Sequence, residues 1–128
     1  MPGIRLLVVE DDTTIRDLLT EVMLVEGFEI QCAANGLDAL TILTSWVPDI
    51  IILDLMMPVM DAEAFRQYQL AMPAVANVPI LVLSALNDLH DRAEAIGADA
   101  VVAKPFDLDT LVNAVRRLVT TGARTGEV

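Results

Sequence analysis

Four short apolar runs in this chain each stop at a polar residue, and no other feature constrains the fold as tightly. Ile4 to Val9 stops at Glu10, Ile50 to Leu53 at Asp54, Ile80 to Leu83 at Ser84, and Ala100 to Ala103 at Lys104. Ile50-Ile51-Ile52-Leu53 and Ile80-Leu81-Val82-Leu83 are apolar at successive rather than alternate positions, as expected of strands covered on both faces. Between the runs the period changes. Ile15, Leu18, Leu19, Val22 and Met23 recur at helical spacing, and so do Leu108, Leu111, Val112, Val115 and Leu118. Phe28 to Ala33 reads as a further strand, Asn35-Gly36 as a turn, and Leu37, Leu40 and Leu43 as the next helix. Asp12, Asp61 and Asp107 can cap helices, the second running to about Met72, and Gly97 can end one spanning about Asp88 to Ile96. The pattern is (βα)5.

Strands alternating with helices imply a parallel α/β sheet with helices on both faces, because each right-handed crossover requires a helix-sized connection. Ligands bind such sheets at the carboxyl ends of the strands. Glu10-Asp11, Asp54, Ser84 and Lys104 all stand where a strand run stops, so the fold gathers them along one edge. Taken singly, each is an ordinary turn residue or a solvated charge. Together they are not ordinary, since carboxylates ~5 Å apart at an effective dielectric of ~20 repel by roughly 3 kcal/mol per pair. A hard divalent cation offsets that repulsion, and Mg2+ accepts carboxylates, waters and a phosphoryl oxygen together. Lys104 adds a second positive charge, and Ser84 a hydroxyl donor. A carboxylate in that setting can accept a phosphoryl group, a transfer that requires mainly positioning and charge neutralisation.

Composition removes several other classes. The chain has 128 residues and a net charge of −11, long enough to bury a core without a disulfide or structural metal. Its pI near 4.2 argues against direct nucleic-acid binding. Charged residues interrupt every apolar run well before the ~18 residues of a membrane span, and Ile4 to Val9 is too short for a signal-peptide core. Cys32 is the sole cysteine, which excludes an internal disulfide, suits a reducing cytoplasm and reads as a small buried hydrophobe. Residues 1–120 read as one domain, and 121–128 as a polar tail or the stub of a linker.

Glu10-Asp11, Asp54-Leu-Met-Met-Pro58, Ser84-Ala85 and Lys104-Pro105-Phe106 together resemble the receiver domain of two-component response regulators over about residues 4 to 119. The intervals of 43, 30 and 20 residues from Asp11 to Asp54, Ser84 and Lys104 are similar to the family's. The resemblance implies a flavodoxin-like, doubly wound five-stranded sheet in the order 2-1-3-4-5. It implies that Asp54 accepts phosphoryl from a sensor histidine kinase or phosphotransfer protein, with Mg2+, or Mn2+ in its place, held by Asp11, Asp54 and the Met56 carbonyl, and by Glu10 through water. Lys104 would pair with the phosphoryl group, Ser84 and Ala85 would belong to the switch, and the Lys104–Pro105 bond would be cis. Such a domain catalyses its own phosphorylation and slow dephosphorylation rather than acting as a dedicated enzyme. Its readout would be a downstream protein or an output domain, through the face formed by the fourth helix, fifth strand and fifth helix, which is also where a dimer would form.

Two positions depart from the family. Val101 stands where an aromatic side chain usually swings inward on activation, and valine has one stiff torsion. Ala62 replaces the glycine usual after Met60-Asp61, so the loop there is expected to be less pliable. Two other readings stay open: a phosphorylation-independent binding module, which Val101 favours, and an aspartyl-phosphate phosphotransferase or phosphatase. The second usually places an acid two residues after its nucleophile, where this chain has Met56. A nucleotide-binding loop is poorly supported, because Glu10 to Thr14 contains no glycine. His90, between Asp88 and Asp91, reads as a solvated helix residue, Met56, Met57 and Met60 as gap-fillers, and Trp46 as packing at a helix end. Arg116-Arg117 opposes a helix dipole, and Arg92 with Asp99 could join a symmetric charge network.

Overall fold

A computed structural model describes residues 3–56, 59–85, 93, 94 and 96–120. Five strands, β1 (Arg5–Val9), β2 (Glu29–Ala33), β3 (Ile50–Asp54), β4 (Ile80–Ala85) and β5 (Ala100–Lys104), form one sheet in the order β2-β1-β3-β4-β5, every neighbouring pair parallel. Helices α1 (Thr13–Val25), α2 (Gly36–Leu43) and α3 (Ala62–Leu70) and a C-terminal helix (Leu108–Thr120) cover it. This is the doubly wound order that the resemblance implies.

The continuous apolar runs follow from the two-residue period of a strand. Leu7, Val9, Ile51, Leu53, Ile80 and Val82 point to one face and pack with Leu43 of α2 and Phe65 of α3. Leu6, Val8, Ile50, Ile52, Leu81 and Leu83 point to the other and pack with Leu19 and Met23 of α1 and with Leu111, Val115 and Leu118 of the C-terminal helix. Successive residues thus bury into two separate cores. At the sheet edge the pattern weakens: Glu29 and Gln31 of β2 and Val101 of β5 are exposed.

Helix starts follow the expected capping chemistry. Asp12 accepts the Ile15 N–H at 3.1 Å, Asp61 the Ala64 N–H at 2.8 Å, and Asp107 the Asp109 N–H at 3.4 Å. Asn35-Gly36, expected to be a turn, instead opens α2: Asn35 accepts the Asp38 N–H at 2.8 Å, and Gly36 packs so closely on Met60 that a Cβ there would lie 3.1 Å from the sulfur. Gly97, at φ +70°, directs its N–H to the Glu94 carbonyl while Ala98 bonds to Ala93, a left-handed helix stop. Most of the expected helix from Asp88 to Ile96, with His90 and Arg92, lies outside the described residues, as do Met57, Pro58 and residues 121–128. Asp99 accepts the Ile80 N–H at 2.9 Å, and the charge network expected of it with Arg92 lies outside the described residues. Cys32 is half-buried and touches the Thr20 hydroxyl at 3.0 Å. Arg116 reaches back to α1, 2.7 Å from the Glu26 carboxylate and over the Phe28 ring.

Candidate functional site

Register brings the strand-end residues together. Val9 pairs with Leu53, so Glu10 and Asp54 leave the sheet side by side. Asp54 pairs with Leu83, placing Ser84 one residue further along β4, and Ala85 pairs with Lys104 on β5. One carboxylate oxygen each from Glu10, Asp11 and Asp54 lie within 4.8 Å of one another. Lys104 Nζ stands 3.3 Å from Glu10 Oε1 and 3.3 Å from Asp54 Oδ2.

Burial makes this cluster electrostatically costly. Glu10, Asp54 and Ser84 are 1%, 2% and 0% exposed, whereas Asp11 faces solvent. Burial first, then the proton Glu10 can share with Asp54 and the charge of Asp54, push Glu10 up to about 7. The Asp12 N–H and Lys104 pull the other way without cancelling the rise. Burial opposes the charged form of Lys104, but Asp54 and Glu10 outweigh it and hold the ammonium above the ordinary lysine range. Among the described residues, Glu10 Oε1, although near Lys104, has no hydrogen bond of acceptable geometry, and neither has the Ser84 hydroxyl. The Lys104 contact is therefore coulombic attraction rather than an aligned bond. Closely set hard oxygens, with buried polar atoms lacking partners, fit a small divalent cation with a water shell.

The remaining candidate residues surround this centre. The Met56 N–H donates to Asp54 Oδ1 at 3.1 Å, which bends the chain back over the carboxylate and leaves the Met56 side chain 58% exposed. The Lys104–Pro105 peptide is cis. Ile15, Leu18, Lys104, Pro105 and Phe106 line an apolar depression of about 430 Å3 beside the acidic cluster. Val101 lies three residues back on the β5 edge, 38% exposed and paired with Val82, away from the carboxylates. Ala62 is the first residue of α3 and fully buried.

Two groups escaped the sequence reading. Arg16 of α1 donates from Nη1 to the Glu10 carbonyl at 2.8 Å, a cation facing the acidic turn from one helical turn away. Arg66 of α3 donates to the Ile96 carbonyl at 2.8 Å, the Gly97 carbonyl at 3.2 Å and Gln69 Oε1 at 2.7 Å. Gln69, fully buried, in turn donates to the carbonyls of Val75 and Val78. A polar pair three residues apart on an otherwise apolar helix face is the signal that could have revealed it.

Comparison with known proteins agrees with this geometry. Residues 6–116 match the family model described as response regulator receiver domain. The DNA-binding dual master transcriptional regulator RpaA of Synechocystis sp. is 32% identical over 117 residues, covering 90% of this chain and 48% of that protein. The chain thus spans about half the length of the curated relatives it matches. Among solved structures, the signal receiver domain of a signal transduction histidine kinase from Syntrophus aciditrophicus superposes with a TM-score of 0.87 at 30% identity, covering 98% of this chain and 97% of that one. The response regulator TrrA of Thermotoga maritima, solved in complex with Mg2+ and BeF, gives a TM-score of 0.79 at 33% identity, covering 90% and 98%.

Proposed function

Because the chain belongs to the response regulator receiver domain family, we propose that it accepts a phosphoryl group on Asp54 from a histidine kinase or phosphotransfer protein and thereby changes its affinity for a partner. The observation that carries this reading is the joint placement of Glu10, Asp11 and Asp54 within 4.8 Å, with Lys104 3.3 Å from two of them.

Asp11, Asp54 and the Met56 carbonyl would hold Mg2+ or Mn2+, with Glu10 acting through water. When bound, the ion supplies positive charge against the three carboxylates and the incoming phosphoryl oxygens. One carboxylate oxygen of Asp54 attacks phosphorus, a P–O bond forms as the P–N bond of the donor phosphohistidine breaks, and the electron pair leaves with the imidazole nitrogen. The Met56 N–H, on Asp54 Oδ1, fixes the attacking carboxylate. Lys104 neutralises charge spread over the transferred group. The Ser84 hydroxyl, buried and without a hydrogen-bond partner among the described residues, is available to donate to a phosphoryl oxygen, next to Ala85 at the end of β4.

Residues 1–120 form the receiver unit in this reading, and 121–128 serve as a tail or lead toward an output segment such as RpaA's name implies. The stiff, exposed Val101 stands in place of a swinging aromatic, so the readout does not run through rotation of that side chain. No described helix is long and apolar enough to cross a membrane, and we place the protein in the cytoplasm beside the kinase's phosphohistidine. Intact-mass measurement with acetyl phosphate tests the reading. A gain of one phosphoryl group, dependent on Mg2+ and absent from Asp54→Asn, is expected, and an unmodified folded chain would refute it.

A further inference from the structure

Asp11 is the one member of the acidic cluster that faces solvent, and its carboxylate has no hydrogen-bond partner among the described residues. With no such partner, the carboxylate starts from wherever the backbone places its Cα–Cβ bond, and that backbone is fastened at four points. The Glu10 N–H extends the β1–β2 ladder to the Ala33 carbonyl at 3.0 Å. Glu10 Oε2 accepts the Asp12 N–H at 3.2 Å, and Asp12 Oδ1 accepts the Ile15 N–H at 3.1 Å. The fourth point is the Glu10 carbonyl, which belongs to the peptide that joins Glu10 to Asp11. It accepts the half-buried Arg16 guanidinium at 2.8 Å.

We infer that Arg16 is a positioning residue for the divalent-cation site: by gripping the Glu10 carbonyl it fixes the Glu10–Asp11 peptide plane, and so directs the Asp11 carboxylate toward Glu10 and Asp54. This rests on the metal reading above. The contact is a charge-assisted hydrogen bond, about twice as strong as a neutral one, and the rigid α1 helix supports it from the Asp12 cap onward.

The competing role for Arg16 is plain charge, and it has the opposite sign. A bystander cation beside a metal site repels the incoming ion, so its removal would tighten binding. A positioning residue holds a ligand in place, so its removal weakens binding, typically by about 10- to 100-fold for partners that orient metal ligands.

Calorimetric titration of the full chain with MgCl2 separates these outcomes. Arg16→Ala is expected to weaken Mg2+ binding by about tenfold or more, measured on protein that unfolding curves in EDTA show to be folded at the titration temperature, and Arg16→Lys is expected to recover part of the loss. In an Asp11→Asn background, Arg16→Ala should add nothing, because the residue it acts through is gone. Unchanged or tighter binding by Arg16→Ala overturns the inference, as does a loss of the same size in both backgrounds. Should Arg16→Ala not fold, Arg16→Gln carries the same test, since weaker binding than wild type is expected and equal or tighter binding refutes it. Wild-type protein that binds no Mg2+ would remove the metal reading and this inference together. Wild-type binding that is lost in Asp11→Asn but indifferent to Arg16 would remove the inference alone.

Discussion

Replacing Glu10 by Gln should stabilise the ion-free protein at alkaline pH, although it deletes a charge 3.3 Å from a lysine. The folded protein holds Glu10 at about 7, against an ordinary 4.5, because burial and Asp54 disfavour its anion. A group raised in the folded state contributes stability that is fully present below its unfolded value and is lost as pH rises through its folded value. The window is therefore about pH 4.5 to 7, and the displacement corresponds to about 3 kcal/mol. Below pH 4.5, protonated Glu10 and Gln are nearly isosteric, and the two proteins should unfold together. As pH rises the wild type weakens while Glu10→Gln keeps its stability. Lys104 is not orphaned in the variant, since Asp54 Oδ2 remains 3.3 Å from its ammonium. Urea unfolding in EDTA between pH 4 and 9 measures this directly. Curves that run parallel across the range would refute the electrostatic account of Glu10.

Other perturbations test the scaffold around the site. Val59, in the loop between β3 and α3, has φ +73°, a strained value for a β-branched residue, so Val59→Gly should raise the thermal midpoint, and a fall would show that the loop is relaxed. Asp61→Ala removes the α3 cap and should cost about 1 kcal/mol in denaturant unfolding, with Asp61→Asn retaining most of it. Arg66→Ala leaves the buried Gln69 oxygen and the Ile96 and Gly97 carbonyls without their donor and should cost about 1–3 kcal/mol in urea unfolding, and an unchanged midpoint would show that Arg66 holds nothing in place.

The sheet and the centre of the site were legible because both follow from where apolar runs stop. A run such as Ile50 to Leu53, buried on both faces, must be a central strand, and its first polar residue then stands at the ligand-binding edge. That logic gathers Glu10, Asp54, Ser84 and Lys104 along one edge from the sequence alone. Asn35-Gly36 was misread because the same side-chain acceptor that closes a turn also caps a helix, and only the packing of Gly36 on Met60 decides between them. Arg66 was marked only by its spacing from Gln69, and the other contacts of Arg66, like that of Arg16, end on backbone carbonyls, of Ile96 and Gly97 and of Glu10. Every residue offers such a carbonyl, so no side-chain motif marks the partner.

Borohydride trapping of the modified protein tests the central claim most directly. An acyl phosphate on a carboxylate is reduced by borohydride, which converts the modified aspartate to homoserine. After treatment with acetyl phosphate and Mg2+, peptide mapping should find homoserine at position 54 and nowhere else, and none without Mg2+. Homoserine at Asp11, or a phosphoryl group that survives borohydride at any residue, would contradict the assignment of Asp54.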